Sequence, residues 1–393
     1  MRCWIALCVL VCSPVSASVP FIRGDVNANG AVAIDDAVFL LSHLFVSGSP
    51  APSCRDAGDT DDNGYVNIAD AVALLAYLFI PGSPTPAYPF PSCGTDPGQD
   101  TLTCLGPVPT CPFSTAWSVE SPMGTAKGAL CGAIFDGQLH AFGGATLWNG
   151  AGTDGLHQTY EFATGTWSTA APVPDNATWG AEGVVASDGR FYLMGGWSGG
   201  ELRARRYDAS LDTWETLPDL PWPFEWGHVV AQTPGRVHVF GGRGAFHHVV
   251  FDIATDSWAF AAAPLTYSYG MAGETIGDRI YAVGTPSARL QVYDVLTDSW
   301  SYGPDLPAYT YAPATCVHDG KLIVVSGTTN ETGGNVCTVQ TFDPLTQLWS
   351  ELDPIPTPRS WSLAVVWQDA LHVVGGFALG NQATATHEML SLP

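Results

Sequence analysis

Residues 236–258 read RVHVFGGRGAFHHVVFDIATDSW and contain the signals that decide the fold. An alternating run ends in the pair Gly241-Gly242, a second apolar run ends in Phe251-Asp252, and Trp258 closes the stretch. Alternation predicts short strands, and the glycine pair predicts a tight turn between two of them. The same succession recurs from about residue 113 onward, with doublets or near-equivalents at Gly143-Gly144, Gly195-Gly196, Gly241-Gly242, Gly284-Thr285, Ser326-Gly327 and Gly375-Gly376.

Tryptophans follow the doublets in a fixed order. The first five doublets are followed by Trp167, Trp214, Trp258, Trp300 and Trp349. The sixth has no such residue, whereas Trp117 precedes the first doublet. Six doublets and six tryptophans pair only if the chain closes into a ring, with the strand around Trp117 completing the last sheet. Units of about 42 to 52 residues with four short strands each predict a mainly β, six-bladed propeller without open edges.

These units resemble the kelch repeat. The doublets, aromatic-Asp steps such as Tyr207-Asp208 and Tyr293-Asp294, and the spacing from Thr297 to Trp300 all fit that motif. The match spans about 280 residues and implies a kelch-type propeller over residues 113–393. It implies no single function, because kelch propellers serve both as binding platforms and as enzymes.

A second repeat lies near the N terminus, where residues 25–36 read DVNANGAVAIDD and residues 59–70 read DTDDNGYVNIAD. Oxygen-bearing side chains alternate along both stretches, and a glycine at the sixth position permits a sharp turn. Ca²⁺ takes six to eight oxygen ligands at this spacing, including one main-chain carbonyl. The sequence therefore predicts two Ca²⁺ sites, formed by Asp25, Asn27, Asn29, Ala31 and Asp36, and by Asp59, Asp61, Asn63, Tyr65, Asn67 and Asp70.

Each loop runs into an apolar helical pattern, and the paired units resemble type I dockerin modules over about residues 22–80. The resemblance implies a small α-helical, EF-hand-like pair within residues 19–80, and it makes a cohesin-like partner a hypothesis to examine. Dockerins usually carry hydroxyl residues where this chain has Ile34-Asp35 and Ile68-Ala69. The calcium chemistry therefore carries over, whereas a cohesin partner does not follow. A calcium-stapled spacer without a partner is the alternative.

The ends of the chain indicate its location. Arg2, an apolar run over residues 4–12 and the small residues before Ser18 have the pattern of a secretory signal peptide, assigned to residues 1–18. The expected location is secreted or cell-surface, and no other run is long enough to span a membrane. Residues 81–112 are rich in Pro and Cys, and this composition predicts a linker. Three pairings into two disulfides are possible among Cys54, Cys93, Cys104 and Cys111.

Composition narrows the possible partners. The chain contains 14 Lys and Arg residues and 37 Asp and Glu residues, which gives a formal net charge of −23. A chain of this charge is repelled by phosphate backbones, so nucleic acid is not an expected partner. The 43 glycines and 30 prolines indicate a turn-rich β protein rather than a helical bundle.

One set of residues stands out at the approach to the innermost strand of each unit. Five are aromatic and lie 14 to 16 residues ahead of their doublets, while the first unit has a lysine. Equivalent positions converge at one mouth of the central channel, where aromatic faces suit the C–H faces of sugars. The predicted ligand-binding set is Trp179, Trp226, Tyr269, Tyr311, Trp361 and Lys127. Packing of blade against blade is the alternative.

The combined prediction is an exported calcium-binding module that carries a propeller for carbohydrate or protein, a binding protein rather than an enzyme. No catalytic residue is assigned. One alternative is a carbohydrate-active enzyme similar to kelch sialic-acid mutarotases or epimerases, and another is a structural assembly scaffold. The enzyme requires an acid/base pair in the channel, for which the candidates are Glu182, Glu225, His228 and Glu274. His140, His238 and His372 occupy one repeated strand position, which favours packing over a metal site.

Overall fold

The computed structural model describes residues 21–87, 89–90, 102, 104, 117–176, 178–197, 199–243, 246–266, 269–284, 288–329, 334–378 and 382–392. The chain divides into two compact units, Met1–Phe113 and Ser114–Pro393. The predicted signal peptide lies outside the described residues. Within the described part of the chain, no helix is both long and apolar enough to cross a membrane.

The described helices of the first unit are α1 (Ile34–Phe45), α2 (Arg55–Gly58) and α3 (Ile68–Phe79). Helices α1 and α3 begin at the ends of the two predicted loops. Asp36 accepts the N–H of Ala33 at 2.9 Å, and Asp70 accepts the N–H of Asn67 at 2.8 Å, so each helix start is capped by its own carboxylate. The two helices share a buried core of Val26, Ala37, Leu40, Ala71 and Leu74.

Part of the predicted linker belongs to the first unit. The N–H of Ala87 donates to the carbonyl oxygen of Thr60 at 3.0 Å. Phe90 packs edge-on against Tyr77, with ring centroids 5.2 Å apart. The compact unit therefore extends beyond residue 80, which the composition of the linker does not indicate.

The cysteines fall into two groups. Cys54 and Cys104 form a disulfide, which is one of the pairings that the sequence leaves open. Cys93 and Cys111 lie outside the described residues. The propeller contains buried free thiols, and burial raises the pKa of Cys131 and Cys316 well above the ordinary value. A buried neutral thiol is a poor nucleophile and metal ligand.

The second unit is a six-bladed β-propeller in which each blade is a four-stranded antiparallel sheet. The strands of blades 1 to 3 are β2 (Cys131–Phe135), β3 (Gln138–Phe142), β4 (His157–Glu161), β5 (Thr166–Thr169), β6 (Glu182–Val185), β7 (Phe191–Met194), β8 (Ala204–Asp208), β9 (Thr213–Thr216), β10 (His228–Thr233), β11 (Arg236–Gly241), β12 (His248–Asp252) and β13 (Ser257–Ala261). The strands of blades 4 to 6 are β14 (Ala272–Ile276), β15 (Arg279–Val283), β16 (Gln291–Asp294), β17 (Ser299–Tyr302), β18 (Ala314–His318), β19 (Lys321–Val325), β20 (Val339–Asp343), β21 (Leu348–Leu352), β22 (Leu363–Trp367), β23 (Ala370–Val374), β24 (His387–Ser391) and β1 (Trp117–Val119).

The ring is closed by its first strand. The sixth sheet has the order β1-β24-β23-β22, so the N-terminal strand of the propeller lies beside its C-terminal strand. The two run antiparallel, with Trp117 opposite Leu390 and Val119 opposite Glu388. The closure predicted from the displaced tryptophan is confirmed. It supplies the outermost strand of blade 6 and ties the two ends of the unit together.

The six repeat tryptophans have one common role. Each indole N–H donates to a carbonyl oxygen just past the outermost strand of the preceding blade, as from Trp349 to Pro304 at 3.1 Å. Trp117 donates to Asp353 at 3.0 Å and so takes the same position in blade 6. The remaining bonds run from Trp167 to Ser121, Trp214 to Ala171, Trp258 to Pro218 and Trp300 to Ala262. The repeated indole therefore joins neighbouring blades through ring packing and one hydrogen bond.

The glycine doublets lie at turns where neighbouring atoms leave no room for a side chain. Gly143 has a φ of +62°, and a Cβ at this position would lie 2.3 Å from the Cβ of Thr178. A side chain here would be both strained and overlapped. In blade 5 the first doublet position is Ser326, which adopts a φ of +54° and is fully buried.

A buried ion pair fixes the last blade. Arg359, before β22, and Glu388, on β24, are almost completely buried and form a charge-assisted hydrogen bond. A second Arg359 nitrogen donates to the carbonyl oxygen of Val373 at 2.8 Å, and Thr357 donates to the other Glu388 oxygen at 2.8 Å. Both charges are therefore compensated inside the sheet.

Candidate functional site

The predicted aromatic residues come together at one mouth of the central channel. Trp179, Trp226, Tyr269, Tyr311 and Trp361 belong to one apolar cluster. Each lies on the segment that leads into an innermost strand, so the circular arrangement brings them to the same end of the propeller. The rings of Trp226 and Trp361 are stacked, with centroids 5.8 Å and planes 19° apart.

Main-chain hydrogen bonds fix these segments to one another around the mouth. The N–H of Ala129 donates to Trp361 at 3.0 Å, and the N–H of Trp361 donates to Ala312 at 3.1 Å. The N–H of Ala312 donates in turn to Gly270 at 3.0 Å, and Gly180 donates to Ala129 at 3.2 Å. The aromatic side chains are therefore presented by a backbone held from blade to blade.

Trp148 occupies the middle of the cluster. Its ring centroid lies 5.4 Å from that of Trp226, 5.6 Å from that of Trp361 and 6.5 Å from that of Trp179. Trp148 lies four residues after the first doublet, and no other repeat has a tryptophan at that distance from its doublet, so repetition could not reveal it. We call this cluster the aromatic plug, which consists of Trp148, Trp179, Trp226, Tyr269, Tyr311, Trp361 and Phe377.

The members of the plug differ in exposure. Trp179, Tyr311 and Trp361 are 7%, 4% and 6% exposed and act chiefly as packing residues. Trp148 and Trp226 are half-buried and present part of their rings to solvent. The mouth is therefore covered by packed rings with a partly exposed outer surface, rather than by an open ring of binding residues.

Lys127 holds the loop that carries Trp148. The lysine is completely buried, and its ammonium donates to the carbonyl oxygen of Gly152 at 2.6 Å. The same nitrogen lies 2.8 Å from a carboxylate oxygen of Asp154. Lys127 is therefore placed as a positioning residue for the plug, with its charge already paired.

Two indole groups of the plug have unmatched hydrogen-bonding capacity. The Nε1 atoms of Trp179 and Trp226 are buried and have no hydrogen-bond partner among the described residues. By contrast, all six repeat tryptophans donate to a carbonyl oxygen. A buried donor without a partner costs about 1–3 kcal/mol, which an acceptor that reaches either N–H group would offset.

Three of the four acid/base candidates line one cavity of the channel. The inner cavity has a volume of about 110 Å³, and its wall includes Glu182, His228 and Glu274. Burial raises the pKa of Glu274 to about 7, and burial with the nearby Glu274 charge raises that of Glu182 well above its ordinary value. Burial lowers the pKa of His228 to about 4, so this ring is neutral at pH 7. Among the described plug residues, Trp361 alone lines this cavity.

Glu225, the fourth candidate, lies elsewhere. Its carboxylate is 3.7 Å from the guanidinium of Arg243, which in turn lies over the ring of Trp197 at 5.3 Å. Trp197 packs against the plug, so Glu225 and Arg243 supply charge beside the mouth rather than in the channel.

The histidines at the repeated strand position pair with histidines that the sequence analysis did not identify. His157 places Nδ1 3.1 Å from the carbonyl oxygen of Ala171, so this nitrogen carries the proton. Its Nε2 accepts from Nδ1 of His140 at 2.9 Å. The three pairs are His140–His157, His238–His248 and His372–His387. Each pair lies within a separate blade, which supports packing over a shared metal site.

The two predicted calcium loops share one hydrogen-bond pattern. In the first, Asp25 accepts the N–H groups of Asn29 and Gly30, each at 2.9 Å. In the second, Asp59 accepts those of the corresponding residues, Asn63 at 3.1 Å and Gly64 at 2.7 Å. The first carboxylate of each loop therefore holds the turn through two hydrogen bonds from main-chain N–H groups.

The second loop brings three carboxylates together. One oxygen from each of Asp59, Asp61 and Asp70 lies within 4.8 Å of the others. Burial, with a smaller contribution from the Asp61 charge, raises the pKa of both Asp59 and Asp70. Hard oxygen donors and clustered negative charge fit Ca²⁺, with the Tyr65 carbonyl and the Asn63 and Asn67 side chains available to complete the set.

Four-stranded blades, glycine doublets and inter-blade tryptophans make the second unit similar to kelch-repeat β-propellers. The kelch motif family matches residues 309–356, which cover blade 5 and its approach segment.

Individual relatives agree with this class. The chain is similar to kelch-like protein terF of Aspergillus terreus (strain NIH 2624 / FGSC A1156), with 27% identity over 281 residues, 64% of this chain and 59% of that protein. It is also similar to kelch-like protein 35 of Mus musculus, with 28% identity over 168 residues, 41% of this chain and 29% of that protein. The chain thus spans well under two thirds of the length of either relative.

The solved structure of YjhT is similar in fold. It superposes with a TM-score of 0.58 at 15% identity, covering 69% of this chain and 96% of that one. At this level of identity the likeness is one of architecture, and function must be argued from the residues of the site.

Proposed function

We propose that this chain is an exported, calcium-stabilised binding protein whose propeller binds a carbohydrate at the aromatic plug. The observation that carries the proposal is the pair of buried indole N–H groups, on Trp179 and Trp226, that have no partner in a cluster of aromatic rings. A sugar offers both complements, since its C–H faces pack on rings and its oxygens accept hydrogen bonds.

The outer surface of the plug supports this ligand class. Trp148, Trp197 and Trp226 are half-buried and adjacent, with Trp197 and Trp226 centroids 6.2 Å apart. Arg243 and Glu225 lie beside them as polar groups at the rim. Partly exposed aromatic rings with polar groups beside them suit the C–H faces and the hydroxyl groups of a sugar.

Trp226→Phe tests the proposal, because it keeps an aromatic ring at this position and removes the indole N–H together with part of the ring surface. We expect the variant to bind glycans about tenfold more weakly than the native chain, the loss expected for one buried hydrogen bond. Binding is measured on a glycan array and then by calorimetry with the best ligand. Trp222→Phe is the matched control, since Trp222 is 38% exposed and stacks on His247 outside the plug.

Equal glycan binding by native chain and Trp226→Phe, with unchanged near-UV circular dichroism, would refute the role of the indole. No glycan binding by the native chain would refute the ligand class and favour a protein partner, the other class of ligand bound by kelch propellers.

We also propose two Ca²⁺ ions in the first unit, held by the residues of the loops at 25–36 and 59–70. Calorimetry on the full chain is expected to give two ions per chain. Asp25→Ala and Asp59→Ala should each remove one, whereas Asp35→Asn, at a position that supplies no ligand, should retain both. An unchanged stoichiometry in either Ala variant contradicts the assignment.

The helices of the first unit carry a duplicated apolar surface that supports a partner of the cohesin type. The exposed residues repeat at the same 34-residue offset as the loops: Ile34 and Ile68, Val38 and Val72, Phe45 and Phe79, Val46 and Ile80. Val38→Glu combined with Val72→Glu should abolish binding to a cohesin panel without altering calcium stoichiometry. If the native chain binds no member of the cohesin panel, the result favours the alternative of a calcium-stapled spacer without a partner.

Export through the signal peptide at residues 1–18 completes the proposal. Expression of the full sequence should yield a secreted chain that begins near Ser18, as measured by mass spectrometry. Retention of residues 1–18 in the secreted chain contradicts the predicted cleavage.

A further inference from the structure

Glu225 and Arg243 form a charged pair beside the aromatic plug. Glu225 directly precedes Trp226 of the plug, and Arg243 directly follows the third glycine doublet. The guanidinium of Arg243 lies over the ring of Trp197, 5.3 Å from its centroid, and Trp197 packs against the plug. Both charges therefore lie next to the rings on which the proposed carbohydrate packs.

The two groups are close, but they are not hydrogen-bonded to each other. Nη1 of Arg243 lies 3.7 Å from Oε2 of Glu225. This distance exceeds the roughly 2.7–3.2 Å of a hydrogen bond. Oε2 of Glu225 is buried and has no hydrogen-bond partner among the described residues. The carboxylate therefore has an acceptor position that the protein leaves unused.

The space between the two groups suits a hydroxyl group. An oxygen can lie about 2.8 Å from both atoms, because this length is more than half of the 3.7 Å between them. Such a hydroxyl accepts a hydrogen bond from the guanidinium and donates its own proton to the carboxylate. Other N–H groups of the guanidinium can bind a neighbouring hydroxyl oxygen. The pair therefore suits adjacent hydroxyls on one sugar ring.

The exposure of the pair gives a ligand access to it. The side chain of Arg243 is 50% exposed and that of Glu225 is 30% exposed. Arg243 is long and flexible, so a small movement over the Trp197 ring opens the approach to the buried carboxylate oxygen. An ion pair that is this exposed contributes little to stability. We therefore expect either charge to be removable without loss of the fold.

The Glu225 carboxylate is only partly compensated. Burial raises the pKa of Glu225, whereas the Arg243 charge lowers it and the nearby Glu201 raises it further. Glu201 is directed to its own loop, where both of its oxygens accept the N–H of Gly199 at 3.1 Å. The carboxylate available to a ligand beside Arg243 is therefore that of Glu225.

We propose that Glu225 and Arg243 make the aromatic plug selective for neutral sugars with adjacent hydroxyl groups. A sugar carboxylate would lie close to Glu225, and the ammonium of an amino sugar would lie close to Arg243, so each charged class meets one repulsive group. A hydroxyl uses both groups, because it donates and accepts. This inference rests on carbohydrate binding at the plug and adds the class of sugar and the residues that determine it.

Calorimetry at pH 7 compares three ligands: the best neutral glycan found on the array, its uronic-acid counterpart and its amino-sugar counterpart. We expect the native chain to bind the neutral glycan at least about tenfold more tightly than either charged form. Glu225→Gln should weaken binding of the neutral glycan about tenfold, because a charge-assisted hydrogen bond is lost. It should also reduce the discrimination against the uronic acid, whereas Arg243→Gln should reduce that against the amino sugar.

Two control variants are matched to these substitutions. Arg289→Gln removes an arginine that lies over the ring of Tyr302 at 4.6 Å, on β17 of blade 4. Glu351→Gln removes an exposed carboxylate on β21 of blade 5. Both variants should keep the native affinity within about twofold and the native preference for the neutral glycan. Near-UV circular dichroism confirms the fold of all four variants.

Equal or tighter binding of a charged counterpart by the native chain would overturn the proposed selectivity. An unchanged preference in both folded variants, Glu225→Gln and Arg243→Gln, would overturn the role of the pair. Glycan binding that depends on Trp226 but not on Glu225 or Arg243 defeats this inference alone. Absence of glycan binding by the native chain defeats the proposed function together with it.

Discussion

Arg359 is a charged residue that is completely buried inside the propeller. Its guanidinium is compensated by Glu388 and by the carbonyl oxygens of Thr357 and Val373. The sequence does not distinguish this arginine from the exposed ones, because the pairing joins residues 29 positions apart across blade 6. Its contribution to stability therefore has to be read from the structure.

Arg359→Met is expected to lower the free energy of unfolding by about 3–5 kcal/mol, because Glu388 would remain buried without its partner. Urea unfolding followed by tryptophan fluorescence measures the change. Arg279→Met is the control, since Arg279 is 53% exposed and its ion pair with Asp294 contributes little. Equal effects of the two substitutions would contradict the role of the buried pair.

The paired histidines predict a dependence of stability on pH. Burial lowers the pKa of His140 and His238 to about 3 and that of their partners His157 and His248 to about 4. In the unfolded chain these rings take up protons near pH 6.5. The unfolded state therefore binds more protons below that pH, and the free energy of unfolding falls as the pH decreases from about 6.5 toward 3.

Replacing one pair in His140→Phe/His157→Leu isolates the effect. Between pH 6 and 4.5 the variant should show a shallower fall in the free energy of unfolding, because its unfolding no longer takes up the roughly two protons that bind this histidine pair in the unfolded chain. The measurement is urea unfolding across this range. An identical slope in native chain and variant would show that the pairs do not control acid stability.

At the scale of elements, the loop over residues 146–154 determines the form of the mouth. It carries Trp148, and its main chain folds back through bonds from Thr146 and Leu147 to the carbonyl oxygen of Ala151. Lys127 and Asp154 join it to the approach segment of blade 1. The plug therefore depends on one irregular loop as well as on the repeats.

Lys127→Met should release this loop, because it removes the ammonium that binds Gly152 and Asp154. We expect the amide protons of residues 146–147, bonded to Ala151, to exchange at least about tenfold faster, with the innermost strands unchanged. Hydrogen exchange measured by NMR gives the rates. Lys321→Met, at an exposed position on β19, is the control, and similar rates in both variants would contradict the positioning role.

The elements that repeat could be predicted from the sequence, and those that occur once could not. Doublets and tryptophans placed the blades and the closing strand, because six copies reinforce one pattern. Trp148 was missed because no other repeat has a tryptophan at the same distance from its doublet. The approach aromatics form one cluster, and their mutual packing depends on side-chain contacts that spacing does not encode.

At the scale of the whole molecule, the channel and the aromatic plug both depend on the closed ring. The channel cavities and the plug exist because equivalent positions from six blades face one axis. Blade 6 is built from both ends of the unit, with β1 paired to β24 and Trp117 bonded to Asp353 of the preceding blade. The three-residue strand β1 therefore completes the ring of blades.

Hydrogen exchange on two shortened chains measures the importance of that strand. One begins at Ser114 and keeps β1, and the other begins at Glu120 and lacks it. We predict that the amide protons of β24 are protected in the first chain and exchange at least about a hundredfold faster in the second, with a smaller loss in blade 1. Equal protection of β24 in both chains would contradict closure by the N-terminal strand.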